Sequence, residues 1–328
     1  MGLREVARRQ TLPKSLAKQF GDIPTAPALL VPLKLELTPM FSISGWHVER
    51  GPPLSDYSSL GEVQTWKDDA TSLRVARLCS NFDTIYRVRL DDSLAVDVLP
   101  GRKVIVRPIP GLPQITINHF LADQIFPRLV ANDGNFVFHA GAVRLRDAAI
   151  VLMGESGSGK STLASSFDRA GQTLMGDDAL VASNLDGVPA VHPVYPSLRL
   201  FPDSIAALMP GTESGGLVAH YSTKQRIDVE IEGGPDVVPI SILAVFALSE
   251  SDGDRVSISR LSVASTCMAL VQNSFALDPS DVEQARLRLE QASAIARSIP
   301  AFDIAYPRDY SRLAEVRQAI LNQVVKAQ

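Results

Sequence analysis

The sequence has few cysteines, no long apolar run and no excess of positive charge. Its two cysteines, Cys79 and Cys267, are too few and too far apart for a metal-ligand cluster or a disulfide framework, and such usage is typical of a reducing cytosol. The longest apolar stretches, such as 243–248, are far shorter than the roughly 20 residues that cross a bilayer. We therefore expect a cytoplasmic protein without a membrane span.

The charge balance excludes a further class of partner. The chain carries 32 Lys and Arg against 36 Asp and Glu, a formal net charge of −4, which does not indicate a nucleic-acid-binding surface. Its 328 residues, with 45% apolar content and a mean hydropathy of +0.08, are typical of a soluble globular protein with room for two cores. The first twenty residues are basic, and we interpret them as a frayed or amphipathic surface helix that could meet an acidic partner.

Alternation of apolar and polar residues predicts a β-rich N-terminal part. A helix is predicted over 119–130, with its apolar residues on one side. We place a domain boundary near residue 120, so that residues 1–120 form a β-rich domain and residues 121–328 form a second domain. The strand candidates of the first part, which turn clusters separate, are 33–37, 73–78, 84–90, 94–99 and 103–107.

The second part alternates strands with short helices, which predicts an α/β fold. Helices are expected at 160–170, after the cap Asp278-Pro279-Ser280-Asp281, and at the C-terminus, where apolar residues from 313 to 324 share a face. The strand candidates are 136–145, 148–153, 173–176, 197–201, 226–231, 240–248, 256–261 and 302–306.

A glycine-rich loop lies between a predicted strand and a predicted helix. Residues 154–161, with the sequence GESGSGKS, satisfy the pattern G-x-x-x-x-G-K-[ST]. Glycines let backbone N–H groups converge on phosphate oxygens, and the helix that follows directs its positive end at the same anion. Lys160 is expected to reach the β- and γ-phosphates of ATP, and the Ser161 hydroxyl to ligate Mg²⁺. The predicted nucleotide-binding residues of the loop are Gly154, Glu155, Ser156, Gly157, Ser158, Gly159, Lys160, Ser161 and Thr162.

The residues around the loop favour a kinase over other phosphate-loop proteins. The chain has no transporter-type signature loop and no N-K-x-D guanine motif. Asp177 and Asp178 follow Lys160 by one helix and one strand, which predicts two carboxylates beside the phosphates. One would hold Mg²⁺ while the other accepts a proton from an attacking hydroxyl, unless the pair only starts an exposed turn. His139, at the end of an apolar run, is a third candidate or else a buried structural histidine.

Together these motifs resemble a known family. Phe138-His139-Ala140, the loop 154–161 and the segment 170–178 are similar to the catalytic domain of HPr kinase/phosphorylase, whose fold is shared with phosphoenolpyruvate carboxykinase. The segment 192–204, HPVYPSLRLFPDS, resembles HPr-kinase-related proteins of ribosomal-peptide gene clusters, including lasso peptide kinases that phosphorylate the C-terminal serine of a precursor. The resemblance covers about residues 119–328.

The resemblance implies roles for individual residues. His139 would be a catalytic histidine, and of Asp177 and Asp178 one would be the base and the other would help with the metal. The sequence leaves open which carboxylate does which, and we predict the metal site at Ser161 and Asp178, with Lys160 as a catalytic cation.

Departures from the family bear on the substrate. The loop ends Lys-Ser-Thr where HPr kinases usually have Lys-Ser-Glu, and their glycine-rich second signature is absent, so HPr is not the expected substrate. Arg199 stands at that second position, either as a clamp on a phosphate or acidic group or as a surface arginine. Lys224 and Arg226 lie in a loop that the related proteins keep basic, which is otherwise a solvated charged loop.

These motifs predict an ATP- and Mg²⁺-dependent kinase that phosphorylates a serine hydroxyl of a peptide or protein, with a ribosomal lasso precursor peptide as the expected substrate. The β-rich domain is then a candidate for substrate capture, and a homo-oligomer is left open. One alternative is a small-molecule kinase that acts on a sugar or amino-acid hydroxyl. The other is a non-catalytic, nucleotide-gated binding module.

Overall fold

The computed structural model describes residues 40–43, 45–53, 62–68, 73–80, 83–195, 198–212, 215–227, 238–251 and 253–327. Within this part of the chain, two large sheets and the helices around them form a mixed α/β structure, which confirms the predicted fold class at this level. The basic N-terminal segment and the strand candidate at 33–37 lie outside the described residues.

The first large sheet contains seven strands of the described chain. They are β1 (Met40–Ile43), β2 (Trp46–Arg50), β3 (Glu62–Asp68), β4 (Leu73–Ser80), β5 (Asp83–Leu90), β6 (Leu94–Leu99) and β7 (Lys103–Pro108). Their order in space is β1-β2-β7-β6-β5-β4-β3, and every pair is antiparallel except β2–β7. Val104 and Val106 of β7 are fully buried and their neighbours Lys103, Ile105 and Arg107 are less so, which is the period of two of a strand with one face on a core. The four strands predicted between residues 73 and 107 are confirmed.

A long helix follows the sheet and contains a wider turn in its middle. It runs as α1 (Gln114–Phe120), a π-helical segment (Leu121–Ile125) and α2 (Phe126–Asn132). It begins five residues before the predicted start, directly after Pro113, whose extended backbone is suited to the position before a helix. The apolar face of the helix is buried in a core that it shares with the first sheet. Residue 120 falls inside this helix, and the division into residues 1–120 and 121–328 stays a prediction.

The second large sheet contains nine strands of the described chain. They are β8 (Phe136–Phe138), β9 (Ala140–Leu145), β10 (Ala148–Met153), β11 (Thr173–Gly176), β12 (Leu180–Leu185), β13 (Val188–Pro193), β16 (Ile240–Ser249), β17 (Ser257–Arg260) and β18 (Ala301–Ala305). Their order is β11-β9-β10-β16-β13-β12-β8, and β17 and β18 continue the sheet beside the second half of β16. β9 and β10 form an antiparallel hairpin, and β10 lies parallel to β16.

Helices cover both faces of this second sheet. They are α3 (Lys160–Arg169), α4 (Pro202–Leu208), α5 (Val263–Gln272), α6 (Val282–Ser298) and α7 (Leu313–Ala327). Alternate residues of β10 point to opposite faces, because Leu152 belongs to one core and Val151 to another. The core of Leu152 includes residues of α3, α4 and α7, and the core of Val151 includes residues of α5 and α6. The loop between β10 and α3 therefore lies at the edge of a covered sheet.

Some predicted elements differ from the structure. The strand expected at 197–201 is the two-residue β14 (Arg199–Leu200), which pairs with β15 (Gln225–Arg226), and residues 228–231 of another expected strand lie outside the described residues. The hairpin β12–β13 and helix α5 were not predicted. Over the described residues, no helix is both long enough and apolar enough to cross a bilayer.

Candidate active site

The glycine-rich loop joins the end of β10 to the start of α3, as the sequence predicts. Gly154 has a φ of 149°, and a Cβ there would lie 2.7 Å from Ser158 Oγ and 2.9 Å from the Leu248 carbonyl oxygen. Gly159 has a φ of 90°, and a Cβ there would lie 2.5 Å from Nη1 of Arg308. Both positions therefore require glycine. The loop ends at the N-terminus of α3, where unpaired N–H groups favour an anion.

Lys160 lies inside the loop rather than on its surface. Its side chain is buried, and its Nζ donates hydrogen bonds to the carbonyl oxygens of Gly154 (2.7 Å) and Glu155 (2.9 Å). Burial lowers the pKa of Lys160, and the nearby carboxylates of Asp178 and Asp177 oppose that shift. The ammonium group is thus held at the mouth of the loop, where it can face a phosphate.

Asp177 and Asp178 follow β11 directly and are both almost fully buried. Asp178 has a φ of 84°, a left-handed conformation that costs energy for a residue with a side chain. The strand therefore ends at Gly176, and the two carboxylates need not point to opposite faces of the sheet as they would in a regular strand. The interpretation of the pair as an exposed turn is wrong, because neither side chain is exposed.

Arg199 holds Asp178 in this unusual position. Its Nε donates to Asp178 Oδ2 at 2.7 Å and its Nη2 donates to Asp123 Oδ1 at 2.7 Å, while Nη2 also contacts Asp178. The Nη1 atom lies 2.9 Å from Nδ1 of His119. Burial by itself would raise the pKa of Asp178, but the Arg199 guanidinium outweighs burial and holds that pKa below its ordinary value. Asp178 is therefore ionised at neutral pH.

Asp177 has the opposite electrostatic character. Burial, and then the negative charge of Asp178, raise the pKa of Asp177 to about 7. The Arg199 guanidinium and, to a smaller extent, the Ser161 hydroxyl oppose this shift. The two adjacent carboxylates thus have pKa values shifted in opposite directions, and Asp177 holds a proton far more readily than Asp178.

His139 lies at the junction of β8 and β9, beside the Asp pair. Its backbone N–H donates to the carbonyl oxygen of Asn273 at 2.7 Å, and its Nε2 lies 3.8 Å from Oδ1 of Asp178. Burial lowers the pKa of His139, although Asp178 opposes that shift, so the ring is neutral at pH 7. About a third of the side chain remains exposed, and a ligand can reach it.

Three spaces meet at the glycine-rich loop. The smallest, of about 60 Å³, contains Lys160, Ser161, Asp178 and His139 on its wall, and we call it the phosphate cavity. A pocket of about 1040 Å³ lies toward Tyr306, Arg308 and Tyr310, and a pocket of about 950 Å³ lies toward α1, α2 and Tyr221. We call these two the Tyr310 pocket and the Tyr221 pocket.

The structure brings most of the predicted residues together and gives several of them different neighbours. Arg199 is not a surface arginine: its guanidinium contacts Asp178, Asp123 and His119. It also lines the phosphate cavity, so its predicted contact with a phosphate stays a prediction. Lys224 lines the phosphate cavity and lies 5.3 Å from the centre of the Phe201 ring. Arg226 pairs through β15 with the strand that carries Arg199.

Sequence reasoning missed His119 and Asp123, although both contact Arg199. They lie four residues apart in a helix whose other inward positions are mostly apolar, and a polar pair at this helical spacing was the signal that the sequence offered. Asp123 lies in the π-helical segment, and the sequence does not predict this segment. Such irregular helix turns are frequent at functional sites.

Comparisons with known proteins give limited further information. No family model matches the chain. The chain is 27% identical over 175 residues to the thiamine import ATP-binding protein ThiQ of Jannaschia sp. (strain CCS1), which covers 50% of this chain and 71% of that protein. An HPr(Ser) kinase/phosphatase structure from Coxiella burnetii is similar over 58% of this chain and 97% of that chain, at 13% identity and a TM-score of 0.30. A TM-score this low supports no inference about this chain.

Proposed function

We propose that the chain is an ATP-dependent phosphotransferase that transfers the γ-phosphoryl group to a serine hydroxyl of a peptide or protein. One observation carries the proposal: the phosphate cavity contains Lys160 and Ser161 of the loop together with Asp178 and His139. A phosphate-binding loop is thereby joined to an ionised carboxylate and a neutral imidazole, and phosphoryl transfer to a hydroxyl uses such a combination. ATP is the proposed donor, in keeping with a curated relative whose name describes an ATP-binding protein.

The loop and Lys160 would stabilise the transferred group. In the transition state, negative charge spreads over the oxygens of the γ-phosphoryl group. The Lys160 ammonium, already inside the loop, and the N–H groups at the start of α3 are preorganised for that charge. They need little rearrangement on binding, and this preorganisation is what lowers the barrier.

The residues present fit Mg²⁺, which takes oxygen ligands and is commonly held by one or two protein groups together with substrate phosphates. Ser161 lines the phosphate cavity, whereas the neighbouring Asp177 lines none of the three spaces. We expect Ser161 to ligate the metal and Asp177 to orient the Ser161 hydroxyl, because Asp178, the carboxylate assigned to the metal from the sequence, is engaged by Arg199. When bound, Mg²⁺ would neutralise phosphate charge.

His139 would accept the proton of the acceptor hydroxyl, and Asp178 would stabilise the positive charge that results. The acceptor oxygen attacks the γ-phosphorus, the bond from that phosphorus to the β–γ bridging oxygen breaks, and ADP leaves. The hydroxyl proton goes to the neutral imidazole of His139, and the imidazolium that forms is stabilised by the ionised Asp178, 3.8 Å away. Asp177 lines none of the three spaces, so it is less suited to be the base.

The proposed acceptor is the C-terminal serine of a lasso precursor peptide. The support is the resemblance of segment 192–204 to lasso peptide kinases, and this segment supplies Tyr195 and Arg199 to the cluster around Asp178. Mutation of the loop lysine tests the function as a whole. Transfer from γ-labelled ATP is measured with serine-containing peptides, among them one that ends in serine, and with free serine and sugars.

Lys160→Ala should abolish transfer and weaken ATP binding, because it removes the cation inside the loop. Lys326→Ala, at the exposed end of α7, is the matched control and should behave like the wild type. Transfer by Lys160→Ala at the wild-type rate, with an unchanged circular dichroism spectrum, would contradict the proposed site. If the wild type binds ATP but phosphorylates none of these acceptors, the chain is a nucleotide-gated binding module instead.

A further inference from the structure

The two large pockets beside the loop differ in the chemistry of their walls. The Tyr221 pocket includes His139, Asp178 and Arg199, whereas none of these residues lines the Tyr310 pocket. Both pockets reach Gly154, Glu155 and Ser156 of the loop. Each of them also shares residues with the phosphate cavity, so each can hold one end of a ligand whose phosphates lie there.

The geometry of phosphoryl transfer determines which pocket holds the acceptor and which holds the nucleoside. The attacking and leaving oxygens lie roughly in line on opposite sides of the phosphorus, so the acceptor and the nucleoside diphosphate approach the cavity from different directions. The acceptor hydroxyl must come within hydrogen-bond reach of its base. His139 and Asp178 line the Tyr221 pocket and not the Tyr310 pocket. The acceptor therefore belongs in the Tyr221 pocket and the nucleoside in the Tyr310 pocket.

The Tyr310 pocket has groups that suit a nucleoside. Its wall carries the Tyr306 ring, with the Arg308 guanidinium 4.9 Å from the ring centre, and the half-exposed Tyr310 ring. The Tyr310 hydroxyl donates to Asp203 Oδ2 at 2.7 Å and lies 3.1 Å from Ser204 Oγ. Flat aromatic surfaces favour a base, and a carboxylate at the edge can accept hydrogen bonds from ribose hydroxyls.

We propose that the Tyr221 pocket is the acceptor site and that it binds an extended polypeptide segment around the phosphorylated serine, a proposal that rests on the proposed function. Besides the loop and the residues that it shares with the phosphate cavity, its walls come from four separate parts of the chain: the turn at Leu90–Asp91 in the first sheet, the helix α1–α2, residues 218–224, and residues 272–275. A volume of about 950 Å³ is near the upper end of ordinary ligand pockets. A free serine or a single sugar would leave most of that space empty.

Two side chains of the Tyr221 pocket are available to a peptide. Tyr221 is 49% exposed and has its ring edge-on to His220, at 5.3 Å between ring centres. Lys224 lies where this pocket meets the phosphate cavity, and among the described residues its ammonium has no hydrogen bond or ion pair. An exposed ring and a cation without an ion-pair partner are suited to the residues next to the serine, because they can contact apolar groups and carbonyl oxygens.

A pair of tyrosine substitutions tests the assignment. Tyr221→Ala should raise the apparent KM for a degenerate pool of serine-containing peptides by about threefold or more, which is the usual loss for one aromatic contact, and should leave the calorimetric Kd for ATP unchanged. Tyr310→Ala should do the reverse. Unchanged ATP binding and an unchanged circular dichroism spectrum of Tyr221→Ala separate loss of the contact from loss of the fold.

The outcomes are distinct for this inference and for the proposed function. If Tyr221→Ala weakens ATP binding, or if Tyr310→Ala leaves it unchanged, the assignment of the two pockets is overturned even where no acceptor has been found. If free L-serine is phosphorylated as efficiently as the peptide pool, the polypeptide acceptor is overturned while the kinase function stands. If Lys160→Ala transfers phosphate normally, the proposed function itself fails.

Discussion

Among the described residues, a buried arginine–aspartate cluster in the first sheet can be compared with one at the candidate active site, and the two differ in which charge is in excess. In the first sheet, Asp97 accepts hydrogen bonds from Arg87 at 2.6 and 2.9 Å and from Arg107 at 2.8 Å. At the candidate active site a single arginine, Arg199, contacts two carboxylates. The first cluster therefore has one cation more than anions, and the second has one anion more than cations.

The surroundings show what each cluster can do. The first joins three neighbouring strands, β5, β6 and β7, and none of its members lines the three spaces beside the loop. The second joins the long helix, the turn after β11 and β14, and it lies on the wall of the phosphate cavity. Burial and pairing are common to both clusters. Access to a cavity and an excess of negative charge, which can hold a proton or a cation, distinguish the second.

The largest effect is expected from breaking the second cluster. Arg199→Met leaves Asp178 and Asp123 buried without their cation, which should cost about 3 kcal/mol or more of the free energy of unfolding. It should also abolish transfer, because burial then raises the pKa of Asp178 and the carboxylate is no longer held ionised beside His139. Urea unfolding and single-turnover transfer measure the two effects.

The matched control breaks the first cluster in the same way. Arg87→Met should lower the stability by a comparable amount, because Asp97 keeps only Arg107, yet the transfer rate per folded molecule should stay at the wild-type value. Arg199→Lys keeps a positive charge but loses the forked geometry, so it should recover stability better than transfer. A loss of transfer in Arg87→Met equal to that in Arg199→Met would show that the two clusters do not differ in function.

A smaller effect is expected at His139, which touches the second cluster without being essential to its pairing. His139→Ala should lower the single-turnover transfer rate by roughly 10²-fold, the usual range for a lost acid–base group. The ATP Kd and the melting temperature should change little, because Lys160 still lies in the loop and about a third of the His139 side chain is already exposed. A destabilised variant with a normal rate per folded molecule would make His139 a structural residue.

The candidate site was predictable from the sequence where its residues are close in sequence. The loop 154–161 and the pair Asp177–Asp178 carry their spacing in the sequence, and His139 precedes the loop by one hairpin. The contacts of Arg199 were not predictable, because Asp123 lies 76 residues away and reaches it through an irregular helix turn. The opposite pKa shifts of Asp177 and Asp178 were not predictable either, because they depend on burial and on residues that are distant in sequence.

Some features of the fold were missed although the sequence contained a signal. Asp186-Gly187 lies between two apolar runs, which is a strong hairpin sequence, and it forms the turn between β12 and β13. Ser262 caps α5 by accepting a hydrogen bond from the N–H of Ser265, a cap that could have marked the start of the helix. Of the seven strands of the first sheet, β4 to β7 were predicted, because alternating or apolar runs separated by turn clusters mark them in the sequence, whereas β1, β2 and β3 were not predicted.

The last comparison is between Asp177 and Asp178, the two adjacent carboxylates at the second cluster, and it concerns how their contributions to stability depend on pH. The folded pKa of Asp177, about 7, lies above its ordinary value of 3.8, so its contribution to stability is fully present below about pH 3.8 and is lost as the pH rises to about 7. Asp177→Asn cannot ionise and should therefore gain stability relative to the wild type between pH 4 and pH 8.

The neighbouring residue should give the opposite slope. The folded pKa of Asp178 lies below its ordinary value of 3.8, so its contribution is present above about pH 3.8 and is lost as the pH falls through the lower folded value. Asp178→Asn should accordingly be less stable than the wild type at pH 4 to 8, with a deficit that shrinks only at more acidic pH. Urea unfolding of the wild type and both variants across pH 3 to 8 measures these differences. Parallel curves for the two variants would mean that Arg199 does not separate the two carboxylates, and the distinction between a metal-side and a proton-side aspartate would then have no electrostatic basis.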